Sequence, residues 1–137
     1  MRKYLLSLEE LDSLVENIVE NFNSGVIILR GNLAAGKTTF VKRAVKCMGI
    51  DDEVTSPTFS LQHCYTDSVF HYDMYNHGLE HFISLGMLEE LDKEGLHFVE
   101  WGDDELAEIL NSAEIKNMTI TIEKISDDKR EYTICTH

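Results

Sequence analysis

The segment GNLAAGKT, from Gly31 to Thr38, constrains the fold of this chain more than any other part of the sequence. It follows VIILR, Val26 to Arg30, an apolar run of the kind found in strands that are buried on both faces. It precedes residues 40–48, whose apolar positions recur with helical spacing until Gly49 ends the helix. A strand, a glycine loop and a helix in this order open an α/β unit, so the segment predicts an α/β fold.

The same segment fits the pattern G-x-x-x-x-G-K-[ST], which is typical of a loop that binds phosphate groups. Gly31 and Gly36 allow the backbone to wrap closely around a phosphate, with consecutive N–H groups pointing inward. Lys37 would place a positive charge on the β- and γ-phosphates, and the hydroxyl group of Thr38 would bind magnesium. The alternative is a glycine turn without a ligand, which the flanking strand and helix disfavour. The pattern therefore predicts a nucleoside triphosphate site, the P-loop.

Two carboxylates are candidates for the acidic partner of the metal. Asp73 ends the run VFHYD and Glu100 ends the run LHFVE, and both runs are typical of buried strands. One carboxylate could hold magnesium, directly or through water, while the other orients the attacking water. The residues alone do not decide which is which, and either acid could instead be a helix cap or a surface group. The loop SPTFS, Ser56 to Ser60, either senses the γ-phosphate through a hydroxyl group or is a proline turn.

The remaining residues are predicted to alternate between strands and helices. The predicted elements are a strand over 3–6, a helix over 7–23 opened by a capping box, strands over 59–65 and 69–72, a helical stretch over 79–91, a strand over 96–100, a helix over 104–110, and a hairpin of strands over 118–124 and 131–136. Together they predict an α/β, P-loop-like three-layer fold with a mixed, mainly parallel sheet and a C-terminal antiparallel hairpin.

Length and charge exclude several classes of protein. A chain of 137 residues predicts one domain, spanning residues 1–137. Lys and Arg number 12 against 25 Asp and Glu, a net charge of −13, and such a surface repels the phosphate backbone of nucleic acids. No apolar run approaches the roughly 20 residues that span a bilayer. Three cysteines without a C-x-x-C pair indicate reduced thiols, so we expect a cytoplasmic protein. We expect no binding to membranes and no strong direct binding to nucleic acids.

The histidine and cysteine residues show none of the compact spacings of structural zinc sites. We interpret the group in the middle of the chain as surface or strand residues: His63, Cys64, His71, His77 and His81. Cys47 and Cys135 fall in helix and strand patterns and are expected in the core.

Four segments, GNLAAGKTTF, SPTFSL, HYDMY and VEWGD, closely resemble the TsaE (YjeE) family of bacteria in order and spacing. The resemblance runs from the N-terminal helix to the final hairpin. It implies the small Mg²⁺-dependent ATPase of the tRNA threonylcarbamoyladenosine pathway. Such a protein joins TsaD and TsaB, which transfer threonylcarbamoyl to adenosine 37 of tRNA, and supports turnover of that complex through ATP hydrolysis.

The resemblance also implies roles for single residues. Lys37 and Thr38 resemble the phosphate and magnesium residues, Glu100 the second acidic residue of the metal site, and Asp73 an essential, switch-like aspartate. The implied nucleotide-binding residues are Gly31, Asn32, Leu33, Ala34, Ala35, Gly36, Lys37, Thr38, Thr39, close to the α-phosphate, and Arg130, close to the nucleotide.

This sequence departs from the family pattern at four positions. Asn32 stands where the family has Asp, and Ala34 stands where it has Gly, which requires a negative φ at Ala34. Asn76 replaces an arginine, and Gly102 replaces a proline. None of these departures changes the candidate catalytic residues, which are Lys37, Asp73 and Glu100.

Three other functions are compatible with a P-loop. A P-loop kinase of small metabolites generally uses several arginines on the transferred phosphoryl group, whereas this chain has Arg2, Arg30, Arg43 and Arg130 and no arginine-bearing lid segment. A small GTPase would carry an N-K-x-D string, which does not occur here. The third alternative is a nucleotide-dependent interaction module with negligible hydrolysis. A rate of ATP hydrolysis that rises when partners are added would separate the ATPase from it.

Overall fold

The computed structural model describes residues 1–32, 35–51, 62–75 and 78–136. The elements in this part of the chain are β1 (Arg2–Leu6), α1 (Leu8–Asn21), β2 (Gly25–Arg30), α2 (Lys37–Cys47), β3 (Gln62–Thr66), β4 (Val69–Asp73), α3 (Leu79–Ser84), α4 (Met87–Leu91), β5 (Leu96–Glu100), α5 (Asp104–Ser112), β6 (Asn117–Lys124) and β7 (Arg130–Thr136). None of these helices is long and apolar enough to cross a bilayer. The expectations for the SPTFS loop, Leu33, Ala34, Asn76 and His77 lie outside the described residues.

The strands form one mixed sheet in the order β1-β7-β6-β2-β5-β4-β3. Strands β6, β2, β5 and β4 pair in parallel and form its centre. Antiparallel strands extend the sheet on both sides, with β3 beside β4, and β7 and then β1 beside β6. The predicted mixed sheet with a C-terminal antiparallel hairpin is therefore confirmed.

Strand β2 explains why helices cover both faces of the sheet. Its side chains alternate in direction, and the four from Val26 to Leu29 are fully buried. Ile27 and Leu29 pack in the core that contains the apolar residues of α1 and α2. Val26 and Ile28 pack in the opposite core, with residues of α3, α4 and α5. A strand buried on both faces requires a layer on each side, which gives the three-layer architecture.

Helix α1 begins with the predicted capping box. The Ser7 hydroxyl accepts a hydrogen bond from the Glu10 N–H at 3.3 Å, and the Glu10 carboxylate accepts one from the Ser7 N–H at 2.9 Å. Lys129, in the turn between β6 and β7, contacts the same carboxylate at 2.8 Å. These contacts, led by the hydrogen bond from Lys129, lower the pKa of Glu10 from an ordinary 4.5 to about 2. Glu10 therefore links the start of α1 to the final hairpin.

Replacing Glu10 by Gln is expected to destabilise the fold slightly at neutral pH, and this effect should disappear at strongly acidic pH. A glutamine preserves the capping box but loses the ion pair with Lys129. Because folding lowers the pKa of Glu10, its contribution is complete above pH 4.5 and is lost as the pH falls through about 2. Urea unfolding of both proteins between pH 7 and pH 2 should show their difference in stability shrinking below pH 4.5. A difference in stability that stays constant down to pH 2 would contradict the role of the Glu10–Lys129 ion pair.

The structure corrects the expected core position of two cysteines and adds detail to two other expectations. The helical stretch over 79–91 is two short helices, because Gly86 adopts a left-handed φ of +79° that interrupts the helix. Cys47 is exposed rather than in the core, since it lies away from the α2 face formed by Phe40, Val41 and Ala44, and Cys135 is only half-buried. His71 is a strand residue, as one of the two interpretations held, and it is completely buried.

Candidate active site

The glycine loop connects the end of β2 to the start of α2, and both of its glycines have backbones that disfavour other residues. Gly31 has a φ of +151°, and a Cβ there would lie 2.5 Å from the carbonyl oxygen of Ile122. Gly36 has a φ of +115° and is the N-cap of α2. The loop therefore passes close to β6 and enters the helix through a conformation that glycine adopts without strain.

Lys37 is the first residue of α2, and its side chain turns back into the loop. Its Nζ donates hydrogen bonds to the carbonyl oxygens of Gly31 at 2.7 Å and Asn32 at 2.9 Å. The ammonium group also lies 3.8 Å from the centre of the Trp101 ring, a cation–π contact. Burial lowers the pKa of Lys37, and the charges of Glu100 and Asp73 partly oppose that effect. The ammonium group has three N–H donors, and exchanging its carbonyl partners would free two of them for another acceptor.

Thr38 and Glu100 come from different elements and meet at the end of the loop. Thr38 Oγ1 lies 3.1 Å from Oε1 and 3.0 Å from Oε2 of Glu100, so the hydroxyl donates to that carboxylate. Glu100 is the last residue of β5, next to β2 in the sheet, and only 2% of it is exposed. The predicted pairing of a P-loop hydroxyl with a strand-end carboxylate is present, and both groups offer the oxygen ligands that Mg²⁺ prefers.

Asp73 lies beside Glu100 in the sheet. The two residues are paired in the register of the parallel strands β4 and β5, and each ends its strand. The Asp73 carboxylate accepts a hydrogen bond from the Tyr75 N–H at 2.8 Å, and the residue is buried. Both predicted acids therefore lie at the edge formed by the carboxyl ends of the parallel strands, where α/β proteins bind their ligands.

Trp101 follows Glu100 with an unusual backbone. Its φ of +69° lies in the left-handed region, which is uncommon for a large side chain. The Trp101 N–H donates to the carbonyl oxygen of Leu29 at 3.1 Å, and its ring lies 4.8 Å from that of Tyr75, between centroids. This backbone directs the ring over Lys37. Strained conformations of this kind persist mainly at functional sites.

Thr39 and Arg130 line a cleft beside the start of α2. The cleft has a volume of about 460 Å³ and is bounded by residues of the loop, the start of α1 and the β6–β7 turn. Its lining residues include Ser7, Leu8, Glu9, Gly36, Thr39, Asp127, Asp128 and Arg130. Arg130 Nε donates to the carbonyl oxygen of Ala35 at 3.1 Å. This contact holds Arg130 beside the glycine loop, and its expected position close to a nucleotide stays a prediction.

Comparison with known proteins assigns the chain to a family. The family model "Threonylcarbamoyl adenosine biosynthesis protein TsaE" matches residues 5–132. The chain belongs to the TsaE family. The description of the family names the biosynthesis of threonylcarbamoyl adenosine.

Individual relatives of the TsaE family agree with this assignment. A tRNA threonylcarbamoyladenosine biosynthesis protein TsaE of Treponema pallidum is 37% identical over 112 residues, which cover 80% of this chain and 80% of the relative. Its namesake in Bacillus subtilis is 35% identical over 114 residues, 79% of this chain and 67% of that protein. The crystal structure of Bacillus subtilis YdiB matches with a TM-score of 0.70 and 26% identity, over 98% of this chain and 84% of that one.

Two residues at this site of the TsaE-family chain were not predicted. His71 contacts Glu100, and Tyr65 contacts His71. The sequence offered one signal, since His71 and Asp73 are two residues apart in a strand and therefore point to the same face. The diagonal contact between His71 and Glu100 depends on the pairing of β4 with β5, which the sequence alone does not give.

Proposed function

We propose that this TsaE-family chain binds and hydrolyses Mg-ATP, acting with TsaD and TsaB in the cytoplasm to support turnover of the threonylcarbamoyl-transfer complex. One observation carries the proposal. Lys37, Thr38, Asp73 and Glu100 come from three elements and gather at the carboxyl edge of the parallel strands, around the glycine loop. A lysine, a hydroxyl group and two carboxylates beside such a loop are the parts of a phosphoryl-transfer site.

The residues present fit a magnesium ion and a nucleoside triphosphate. Thr38 Oγ1 and the Glu100 carboxylate are hard oxygen ligands, already in contact with each other. The Lys37 donors are directed at two backbone carbonyl oxygens, neutral acceptors that charged phosphate oxygens would replace favourably. The cleft beside Gly36, Thr39 and Arg130 continues from the loop and leaves room for the nucleoside end of the ligand.

Each residue then has a distinct task. Lys37 binds the β- and γ-phosphates, and Thr38 and Glu100 hold the metal, which neutralises developing charge on the phosphates when it is bound. Asp73, adjacent to Glu100, either orients the attacking water or couples the site to a partner. Trp101 covers Lys37 on the side of Tyr75 and limits the access of water to the ammonium group.

The charge of the chain supports a role beside other proteins rather than on tRNA. A net charge of −13 repels the tRNA backbone, so contact with tRNA is left to TsaD and TsaB in this proposal. An ATPase that acts through protein partners has no need of a basic surface.

The proposal is tested by ATP hydrolysis of the purified protein, alone and with TsaB and TsaD, with GTP as the control nucleotide. We expect a slow rate alone that rises when the pair is added, and little turnover of GTP. A measurable rate that ignores the pair would leave the ATPase standing but remove the partnership, and a screen of small-molecule phosphoacceptors would follow. ATP binding without hydrolysis under any condition would favour a nucleotide-dependent interaction module.

A further inference from the structure

His71 makes a buried contact that connects the sheet to the candidate metal site. It lies in β4, is 0% exposed, and has both ring nitrogens in contact with side chains. His71 Nε2 is 2.5 Å from Glu100 Oε2, and Nδ1 is 2.9 Å from the hydroxyl oxygen of Tyr65. Tyr65, His71, Glu100 and Thr38 thus form a continuous series of contacts from β3 to the first turn of α2.

The chemistry of these groups determines the direction of the hydrogen bond between His71 and Glu100. An ionised carboxylate only accepts, so the Glu100 contact requires a proton on His71 Nε2. In the neutral imidazole the other nitrogen, Nδ1, is then an acceptor, and the Tyr65 hydroxyl donates to it. Tyr65 thus favours the tautomer that donates to Glu100.

We propose that His71, supported by Tyr65, is a positioning residue that holds the Glu100 carboxylate in the orientation needed for magnesium; this rests on the function proposed above. Glu100 is held from the helix side by Thr38 and from the sheet side by His71. Thr38 would have to turn its hydroxyl proton away to bind a metal through its oxygen, and the bond from His71 would then be what keeps the carboxylate in place. Partners behind a metal ligand commonly set its orientation in this way.

The chain contains a matched control for this proposal. His97, in β5, is also 0% exposed, and its Nδ1 lies 2.7 Å from the hydroxyl oxygen of Tyr72. Its Nε2, however, contacts the backbone carbonyl oxygen of Lys93 at 2.8 Å and no carboxylate in the part of the chain that the structure describes. Both histidines are buried and each contacts a tyrosine hydroxyl group, but only His71 also contacts Glu100.

The test compares His71→Leu, His71→Gln and His97→Leu by calorimetry with a non-hydrolysable ATP analogue, in EDTA and in Mg²⁺. We expect His71→Leu to bind the analogue in EDTA like the natural protein, but to lose about 10- to 100-fold of the gain in affinity that Mg²⁺ provides. The glutamine amide can donate to Glu100 from the position of Nε2, so His71→Gln should retain most of that gain. His97→Leu should lower the melting temperature and leave the gain unchanged.

Several outcomes separate this proposal from the one on which it rests. A full Mg²⁺ gain in His71→Leu, or an equal loss in His97→Leu, would overturn the positioning role. If His71→Leu does not fold, His71→Asn replaces it, because the shorter asparagine amide cannot reach Glu100. A gain in affinity from Mg²⁺ as large in His71→Asn as in His71→Gln would overturn the role. No Mg²⁺ gain in the natural protein would overturn the proposed function and this inference with it.

A spectroscopic readout tests the arrangement without nucleotide. Long-range ¹H–¹⁵N spectra of protein with labelled histidine should show that His71 prefers to carry a proton at Nε2. Tyr65→Phe should weaken this preference. A ring protonated at Nδ1 alone would overturn the inference even if the protein hydrolyses ATP.

Discussion

Lys37→Ala is expected to weaken ATP binding by at least about 100-fold. The ammonium group makes two hydrogen bonds to loop carbonyls, and phosphate oxygens would take over those donors. Hydrogen bonds to charged groups contribute about 1.5–3 kcal/mol each. Two of them amount to at least about 3 kcal/mol, and each 1.4 kcal/mol or so corresponds to a factor of ten in Kd. Calorimetry with ATP and Mg²⁺ measures the change directly.

Lys42→Ala is the control for this experiment. Lys42 lies on the same helix but is exposed, so its removal changes the net charge equally and leaves the loop intact. We expect it to bind ATP like the natural protein. Thermal unfolding of Lys37→Ala without nucleotide checks that the fold persists. Natural affinity in a folded Lys37→Ala would show that the loop is not the phosphate site.

The parts of the site that follow from local sequence were predictable. The glycine pattern lies between an apolar run and an amphipathic helix, which identified Lys37 and Thr38 and the α/β fold. Asp73 and Glu100 were found because each closes a buried run. Carboxyl ends of parallel strands share one edge of a sheet, so the proximity of the two acids follows from the parallel pairing of β4 with β5.

The parts that depend on strand pairing and backbone detail were not predictable. His71 reaches Glu100 across two neighbouring strands, and its partner could not be chosen before their register was known. The left-handed φ of Trp101 has no sequence signal, since glycine is the usual residue in that region. Gly86 is such a residue, and it divides the helical stretch predicted over 79–91 into two short helices. The sequence also does not show which of Asp73 and Glu100 holds the metal and which orients the water.

Glu100→Gln and Asp73→Asn are each expected to reduce ATP hydrolysis by about 100-fold or more, as loss of a positioned base or stabilising group commonly does. Both side chains are buried beside Lys37, and their charges act on it. In EDTA, both variants should bind ATP as tightly as the natural protein or more tightly, because a buried negative charge close to the phosphates has been removed.

The dependence on Mg²⁺ separates the two acids. If Glu100 holds the metal, Glu100→Gln should need a much higher Mg²⁺ concentration for half-maximal hydrolysis, whereas Asp73→Asn should lose rate at an unchanged Mg²⁺ requirement. The reverse pattern would exchange the two roles. Glu105→Gln, an exposed acid on α5, is the control for charge and should keep full activity. Full turnover in both Glu100→Gln and Asp73→Asn would contradict the metal site itself. Neither the Glu100 nor the Asp73 carboxylate would then be needed to hold the ion or the water.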